Sequence, residues 1–510
     1  MLARIPSYLL QGIDALPCEV EVDADLSTFD QKPVIVGLPD AGVKEALERV
    51  KSALTNSGYA WPQGRLVINL APADVRKEGP VYDLPIAVGL LAATGVLANA
   101  AGLDYRSCVL GGELALDGRV RPIKGAIALA AMARQRGAKA VIVPADNAPE
   151  AAVVHDMPVY GVRTLSELVG LLVGAIEAEP TPPPDIGMLL GQAAASVDFG
   201  DVRGQEGVKR AIVVAAAGGH NLLMLGPPGS GKTMMAKALP GVLPPLTPQE
   251  AIDITRIYSA AGQMPAGVGL IAVRPVRSPH HTASTPSIVG GGMVPRPGEI
   301  SLAHHGVLFL DELPEFPRDV LEALRQPLED HTVVIARAHG AVRFPASFML
   351  ITAMNPTPKG DLPPGEIGKR AMEQYLAKLS GPLLDRIDIH VEAPAVPWKE
   401  LSRRDEGPRG SSTAVMREQV LAARAKQDQR QGAGLANARL SGRQLDTWAK
   451  LDEAATQLLG QAMTELGLSA RAYDKIRRTS RTIADLEGVE TIRAHHVSEA
   501  VAYRLLDRKV

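Results

Sequence analysis

The segment Asn221-Leu-Leu-Met-Leu-Gly-Pro-Pro-Gly-Ser-Gly-Lys-Thr233 decides the fold class of this chain. Its apolar run from Leu222 to Leu225 predicts a buried parallel strand, and Met234 to Leu239 predicts the start of a helix. A phosphate-binding loop requires this order, because glycines let backbone N–H groups point inward and the helix N-terminus adds partial positive charge. A glycine-rich turn that binds nothing is the alternative. The complete pattern with its flanking strand favours nucleotide binding.

A second apolar strand ends in the two carboxylates that such a site needs. It reads Val307-Leu-Phe-Leu-Asp-Glu312. Open α/β sheets bind ligands at the carboxyl ends of their strands, so we expect Asp311 to hold Mg²⁺ through water and Glu312 to polarise the attacking water. A solvated strand tip is the alternative. A third predicted strand, Phe348 to Ala353, is followed by Asn355, which could orient water or sense the γ-phosphate, although Asn-Pro alone is only a turn signal.

These segments predict a site for ATP and Mg²⁺. Lys232 can reach the outer phosphates, and the Thr233 hydroxyl can ligate the metal together with Asp311. The predicted nucleotide-binding residues are Gly226, Pro227, Pro228, Gly229, Ser230, Gly231, Lys232, Thr233 and Asp311.

Composition limits the number of domains, the kinds of partner and the cellular location that we expect. A chain of 510 residues is too long for one core, and about two to four domains are expected. Its net charge of −2 gives no global basic field, so contacts with nucleic acid would have to come from local patches. The two cysteines, Cys18 and Cys108, fit reduced thiols better than a disulfide framework. No signal peptide or membrane-spanning segment is evident, and we expect a cytoplasmic protein without membrane contact.

Residues 1–176 show an α/β pattern that resembles the Lon-protease-like domain of the ribosomal S5-like superfamily. The resemblance is carried by Asn69 to Asp74, Lys77 to Asp83, Gly112 to Ile123 and Gly137 to Pro144. An active site of that kind uses a serine and a lysine. Here Val81 and Leu129 stand at those positions, so peptide hydrolysis lacks both nucleophile and base. The resemblance therefore implies a Lon-like fold that has lost the protease.

A proline-rich linker is predicted at 177–190, followed by an AAA+ ATPase core at 191–400 and a helical lid at 401–510. The core resembles the magnesium-chelatase-like AAA+ proteins, and joined to a Lon-like domain it resembles the YifB/ComM competence family. The motifs that carry this resemblance are Ser278 to Ser284, Gly290 to Gly292, Pro297 to His304, Leu313 to Phe316 and Ser380 to Asp388.

The resemblance implies an oligomeric, hexameric ATPase that acts on single-stranded or branched DNA as a helicase, promoting branch migration during recombination. It also implies that Arg386 reaches the neighbouring subunit's nucleotide as an arginine finger, and that Arg471 contacts the γ-phosphate. Arg386 as an ordinary salt-bridge partner of Asp385 or Asp388 is the alternative. Two other functions stay open. A chelatase-type motor would remodel a protein partner, and a Lon-like protease would cleave peptides, which Val81 and Leu129 argue against.

Two insertions between the core strands are candidates for DNA contact. The first, Met264 to Ser301, is rich in glycine and proline and includes Arg274, Arg277 and Arg296. The second is a predicted β-hairpin, with strands from Thr332 to Arg337 and from Ala341 to Phe344. Basic side chains at loop tips suit phosphate contacts, whereas solvated loops are the alternative. The residues predicted to contact DNA are Arg296, Arg337, His339 and Arg343.

Two metal-binding hypotheses are weakened by the sequence. Many relatives carry four cysteines with zinc-ligand spacing after the Asn-Pro turn, but the segment from Asn355 to Pro364 has none, and no structural zinc is expected. The adjacent pairs His280-His281 and His304-His305 should point apart, so shared ligation within a pair is not expected.

The C-terminal part is helical by pattern. Helices are predicted from Gln444 to Leu459, Ser469 to Leu486 and Ala494 to Leu506. Arg477, Arg478 and Arg481 share the second of these helices, and their spacing predicts a solvated face, with interface or DNA contact as the alternative.

Overall fold

The computed structural model describes residues 1–25, 27, 32–98, 101–192, 197–265, 267–292, 294–337, 340–357, 366–396, 411–504 and 506. The chain forms two compact units. The first contains residues 1–191 together with 247–272, and the second contains 192–246 together with 273–510. Residues 247–272 lie within the predicted ATPase core in sequence, yet they pack with the N-terminal unit. Among the described residues, no helix combines the length and apolar composition needed to cross a bilayer.

The first unit contains a four-stranded and a three-stranded sheet. The larger sheet has the order β1-β2-β4-β3, and the smaller, β5-β8-β9, is parallel. The long antiparallel hairpin of β1 and β2 has no counterpart among the sequence predictions. The strands are β1 (Leu2–Gln11), β2 (Asp14–Asp25), β3 (Val34–Val36), β4 (Arg65–Ala71), β5 (Cys108–Leu110), β6 (Glu113–Leu114), β7 (Val120–Arg121), β8 (Ala140–Pro144) and β9 (Val159–Val162).

Helices pack on these sheets, and one of the helices of this unit comes from residues 247–272. Helix Pro248–Ala261 begins with a capping box between Thr247 and Glu250 and ends at Gly262. Within the unit it is held by Ser259, whose hydroxyl lies 3.3 Å from the Glu150 carboxylate. The other α-helices of this unit are Ala41–Lys44, Ala46–Asn56, Asp83–Ala93, Ala126–Gln135, Ala148–Ala151, Leu165–Val173 and Ile186–Gly191. The last of these occupies the end of the segment predicted as a proline-rich linker.

The two residues at the predicted protease positions lie in an apolar environment. Leu129 is fully buried in a cluster that includes Tyr8 and Val109, and Val81 packs against the same cluster. Apolar packing therefore surrounds both residues, and neither side chain offers a nucleophile or a base.

We expect that the full-length protein does not hydrolyse casein or unstructured peptides, with or without ATP. The reason is the apolar pair Val81 and Leu129, which can neither attack a carbonyl nor accept a proton. Release of labelled fragments measures this. Cleavage that co-elutes with the chain through two unrelated purification steps would contradict the prediction.

The second unit is organised on a five-stranded, wholly parallel sheet with the order β11-β14-β17-β10-β18. The apolar runs of β10, β14 and β17 are completely buried, as expected for strands covered on both faces. The strands of this unit are β10 (Leu222–Leu225), β11 (Val276–Arg277), β12 (Gly290–Gly291), β13 (Arg296–Pro297), β14 (Val307–Leu310), β15 (Thr332–Arg337), β16 (Gly340–Pro345), β17 (Met349–Met354) and β18 (Ile389–Glu392).

This strand order places the predicted catalytic segments side by side. β17 lies between β14 and β10, so the residues that follow these three strands meet at one edge of the sheet. Asp311 follows β14, Asn355 follows β17, and Gly226 follows β10. The three strands predicted from the sequence are confirmed within one residue or two at their ends, as is the hairpin β15–β16.

The C-terminal part of this unit is helical, with one break that was not predicted. The predicted helix Gln444 to Leu459 is wrong as a single element, because Ala449 leaves the helical region and Asp452 caps a new helix. The α-helices of the second unit are Glu206–Gly218, Lys232–Ala238, Thr285–Val289, Glu299–Leu302, Arg318–Ala323, Arg325–Asp330, Glu366–Leu376, Gly381–Leu384, Thr413–Gln431, Gly442–Trp448, Glu453–Glu465, Ala470–Glu487 and Ala494–Ala502.

The predicted solvated arginine face is also wrong. Arg481 is 1 % exposed and forms a buried ion pair with Asp485, which also binds Arg430 at 2.6 Å. Arg477 is buried as well, and Arg478 donates a hydrogen bond to the Leu440 carbonyl. Buried charges persist only when paired and hydrogen-bonded, so these arginines hold the lid helices together.

Candidate nucleotide-binding site

The loop after β10 has the backbone shape of a phosphate cradle. Gly229 and Gly231 have φ angles of +79° and +88°, in the left-handed region that favours glycine. Gly231 is followed directly by helix Lys232–Ala238, whose N-terminal N–H groups are free of partners within that helix. The loop therefore offers anion-binding backbone groups at a helix start.

Lys232 lies beneath this loop. Its Nζ donates to the carbonyl oxygens of Gly226 and Pro227 at 2.7 and 2.8 Å, and lies 3.3 Å from both Ser230 Oγ and Asn355 Oδ1. Burial lowers the pKa of Lys232, and the charges of Asp311 and Glu312 oppose that shift. The lysine can exchange these weaker neutral partners for phosphate oxygens, which make stronger charge-assisted hydrogen bonds.

The two predicted magnesium ligands are in contact. Thr233 Oγ1 donates to Asp311 Oδ2 at 2.8 Å, and the Glu312 amide donates to Asp311 Oδ1 at 3.0 Å. A hydroxyl and a carboxylate side by side are the oxygen donors that Mg²⁺ prefers, so the residues present fit this ion. Magnesium bound with ATP supplies charge neutralisation at the phosphates, and Thr233 and Asp311 would hold it.

Glu312 is fixed at its backbone and open at its carboxylate. Its φ angle is +52°, in the sparsely populated left-handed region, and its side chain is 49 % exposed. The next residues, Leu313 and Pro314, are buried, which anchors this conformation. An open carboxylate directly after the magnesium ligand can accept a proton from an attacking water.

Gln205 is a site residue that the sequence analysis missed. It lies at φ +59°, directly before helix Glu206–Gly218, and its Nε2 donates to the carbonyls of Ser230 at 3.3 Å and Pro394 at 2.6 Å. Its Oε1 is buried and has no hydrogen-bond partner among the described residues. Such an orphaned acceptor beside the phosphate loop fits an exocyclic amino group such as that of adenine. In the sequence, the only signal was a Gly-Gln pair before a helix.

Arg386 and Arg471 lie together, and not with the loop residues. Both line a cavity of about 500 Å³ whose described lining includes none of residues 226–233. Arg386 pairs with Glu329 and donates to the carbonyls of Arg325 and Pro382, and only 12 % of its side chain is exposed. Its partner is thus neither of the aspartates considered above. Arg471 is 66 % exposed, and its Nη1 lies 3.5 Å from Asp385 Oδ2.

The structure describes the side chains of two of the four residues predicted to contact DNA, and the DNA contacts themselves stay a prediction. Arg296 is exposed on β13, and Arg343 is exposed on β16 opposite Val334. The side chain of Arg337 is not described, and His339 lies outside the described residues. Two other arginines of the first insertion have internal roles. Arg274 donates to the His305 carbonyl at 2.6 Å, and Arg277 forms a two-pronged ion pair with Glu299 at 2.6 and 2.7 Å.

A histidine-rich cluster lies at the end of the lid. Glu487, His495 and His496 bring ligand atoms within 4.8 Å of one another. His496 Nδ1 accepts the Arg493 amide at 2.9 Å, so in the neutral ring the proton is on Nε2 and is donated to Glu487. A nitrogen that carries a proton cannot ligate a metal, and this arrangement is a hydrogen-bond network.

Comparisons with known proteins agree with this geometry. Three family models match: "Magnesium chelatase, subunit ChlI" at residues 198–401, "Subunit ChlI of Mg-chelatase" at 19–147, and "Magnesium chelatase, subunit ChlI C-terminal" at 410–504. The competence protein ComM of Haemophilus influenzae is 43 % identical, over 99 % of this chain and 98 % of its own length. The protein YifB of Salmonella typhimurium is 42 % identical over the same shares. The magnesium-chelatase 38 kDa subunit of Rhodobacter capsulatus is 26 % identical, over 32 % of this chain and 52 % of its own length.

Identity above 40 % over nearly the whole of both chains indicates a shared domain organisation. The phosphate loop, the paired magnesium ligands and the exposed carboxylate of Glu312 are the parts that an ATPase needs. The chain belongs to the YifB/ComM family of magnesium-chelatase-like AAA+ ATPases.

Proposed function

We propose that this chain is an oligomeric ATP-driven motor acting on DNA, which promotes branch migration of recombining strands in the cytoplasm. ATP binds at residues 226–233, Glu312 activates water, and Asn355 responds to the γ-phosphate. The observation that carries the oligomeric part is the separation of Arg386 from the loop that binds ATP. An arginine held by Glu329 away from that loop can reach a neighbour's nucleotide by exchanging the carboxylate for phosphate, and a ring supplies that neighbour.

The DNA part of the proposal is supported by two exposed arginines on hairpins. Arg296 on β13 and Arg343 on β16 are exposed cations that form no ion pair within the described part of the chain. Exposed arginines on short hairpins suit sequence-independent contacts with phosphates, because the guanidinium binds phosphate oxygens through two hydrogen bonds. A relative named for competence agrees with DNA as the substrate.

A second candidate is a chelatase-type motor that remodels a protein partner. It is favoured by the family models named for magnesium chelatase and by the partial match to a magnesium-chelatase subunit. In that case DNA should leave ATP hydrolysis unchanged.

Turnover of Mg-ATP by the full-length protein, with and without single-stranded, duplex and four-way-branched DNA, tests the proposal. We expect branched DNA to raise the turnover of ATP. We also expect labelled four-way junctions to be separated into duplexes by branch migration only when ATP is hydrolysed. The double variant Arg296→Ala/Arg343→Ala should weaken binding on every DNA sequence and reduce the salt slope by about two, about one per phosphate contact. Arg443→Ala, an exposed arginine of the lid, is the matched control. A turnover that no DNA changes would contradict the proposal and favour the chelatase-type motor.

A further inference from the structure

Arg386 lies in a short irregular stretch, residues 385–388, that leads into strand β18. Side chains from distant parts of the unit hold the carbonyl groups of this stretch. Asn221 Nδ2 donates to the Arg386 carbonyl at 2.9 Å, and Arg504 Nη1 donates to the Ile387 carbonyl at 2.6 Å. The backbone position of Arg386 therefore depends on contacts with other elements.

Asn221 joins this stretch to the strand that carries the phosphate loop. It directly precedes β10, and its carbonyl accepts the amides of Asp388 and Ile389 at 3.0 and 3.1 Å. Its own amide donates to Asp388 Oδ2 at 3.1 Å, and its side-chain oxygen accepts the Leu350 amide of β17 at 2.9 Å. Because Gly226 follows the other end of β10, a single strand connects these contacts to the phosphate loop.

The lid reaches the same stretch through a largely buried ion pair. Lys475 Nζ lies 2.8 Å from Asp388 Oδ1, and each of the two side chains is 12 % exposed. Lys475 belongs to helix Ala470–Glu487, and Arg471, one helical turn earlier, lines the same cavity as Arg386. Asp388 thus joins three elements, which are the start of β10, the stretch that carries Arg386 and the lid helix.

The surroundings of this pair keep it charged. Burial alone would raise the pKa of Asp388, but Lys475 and His220 hold that pKa below its usual value. His220 Nδ1 lies 3.6 Å from Asp388 Oδ2, and its Nε2 lies 2.8 Å from Thr482 Oγ1. A buried ion pair adds little stability compared with apolar packing, so its consequence lies in the position of the groups that it joins.

We propose that Lys475 is a positioning residue for ATP hydrolysis in the neighbouring subunit. Through Asp388 it fixes the stretch that carries Arg386, so that the guanidinium reaches the neighbour's γ-phosphate in one position. This inference rests on the proposed function, in which Arg386 acts on the neighbour's nucleotide. A displacement of about 1 Å in a group that stabilises the transition state can lower turnover about 10²-fold.

Mixed rings of full-length variants separate this role from a purely structural one. Lys232→Ala subunits bind no ATP but present Arg386, Arg386→Ala subunits bind ATP but present no arginine, and the two together should regain turnover. Lys475→Met, which removes the cation and keeps much of the apolar stem, is added to one kind of subunit or to the other. In the subunit that presents Arg386 it should lower the steady-state turnover of the mixture about 10- to 100-fold. In the subunit that binds ATP it should lower turnover far less.

Three further changes are made in the subunit that presents Arg386. Lys475→Arg keeps a cation beside Asp388 and should recover most of the lost turnover. Lys450→Met removes an exposed lysine of the lid and should leave turnover as it is. Removing one partner of a buried pair destabilises the fold, so the double variant Lys475→Met/Asp388→Asn, which leaves no unpaired charge, should lose turnover in a stable ring. Tagged co-purification shows whether each ring forms.

The outcomes distinguish this inference from the proposed function. If the mixture without a change at Lys475 regains no turnover, the oligomeric part of the proposed function fails together with this inference. If that mixture regains turnover, but Lys475→Met lowers it equally in both kinds of subunit or in neither, only the positioning role is overturned. The positioning role is also overturned if Lys475→Arg recovers nothing, or if neither variant with methionine at this position forms rings, because the pair is then structural.

Discussion

Replacing Glu312 by glutamine should leave a protein that binds ATP and almost fails to hydrolyse it. The loop, Lys232 and the magnesium ligands Thr233 and Asp311 are untouched by this change, so affinity should stay near that of the wild type. The carboxylate that accepts the water's proton is lost, and general-base catalysis contributes about 10²- to 10⁴-fold. Single-turnover hydrolysis and binding of a fluorescent ATP analogue measure the two quantities separately.

The matched control is Glu315→Gln, three residues further along, at the end of the 3₁₀ helix Leu313–Glu315 that Glu312 precedes. Glu315 pairs with Lys378 at 3.2 Å and faces no part of the nucleotide site described above. Its replacement should keep turnover near that of the wild type. Undiminished turnover in Glu312→Gln would show that another group is the base.

Mixing two inactive variants should restore ATP hydrolysis. Arg386→Ala alone should lose about 10³- to 10⁵-fold in turnover, because the guanidinium stabilises charge that develops only in the transition state. Lys232→Ala alone should lose ATP binding. If Arg386 acts on the neighbour, a randomly mixed ring has about one interface in four in which an intact Lys232 meets an intact Arg386. Steady-state turnover of mixtures, plotted against their ratio, should pass through a maximum.

Arg386 can act on a neighbouring subunit only if it first leaves Glu329. Arg386 is held by that carboxylate within its own subunit, so reaching a neighbour's phosphate requires the guanidinium to exchange one anion for another. Arg325→Ala is the control, because its side chain pairs with Glu322 while its backbone carbonyl, which Arg386 contacts, is kept. If mixed rings form, as shown by tagged co-purification, and no mixture exceeds the separate variants, Arg386 does not act in trans.

Local patterns were sufficient for the hydrolytic residues. Each of the three predicted core strands is a mainly apolar run with a candidate functional residue just after it, so one short segment predicts both the strand and its end. Parallel strands in one sheet share an edge, and this rule places Asp311, Asn355 and the loop near each other before any coordinates are known. The contacts Thr233–Asp311 and Lys232–Asn355 agree with that expectation.

Side chains whose role depends on distant packing were not predictable in this way. The arginines of helix Ala470–Glu487 have the spacing of a solvated stripe, yet Arg481 is buried because Asp485 and other helices enclose it. The long hairpin of β1 and β2 was missed, since Pro6 and Ser7 interrupt its apolar alternation.

The sequence by itself determined the phosphate loop and the two carboxylates after β14, because each depends on residue type at a fixed local spacing. Tertiary structure alone decided which strand separates β14 from β10, that residues 247–272 pack with the N-terminal unit, and that Lys475 pairs with Asp388. These features join residues that are far apart in the chain or linked through irregular loops, and the free energy that fixes them comes from burial and pairing between elements. No periodicity along the chain encodes such contacts.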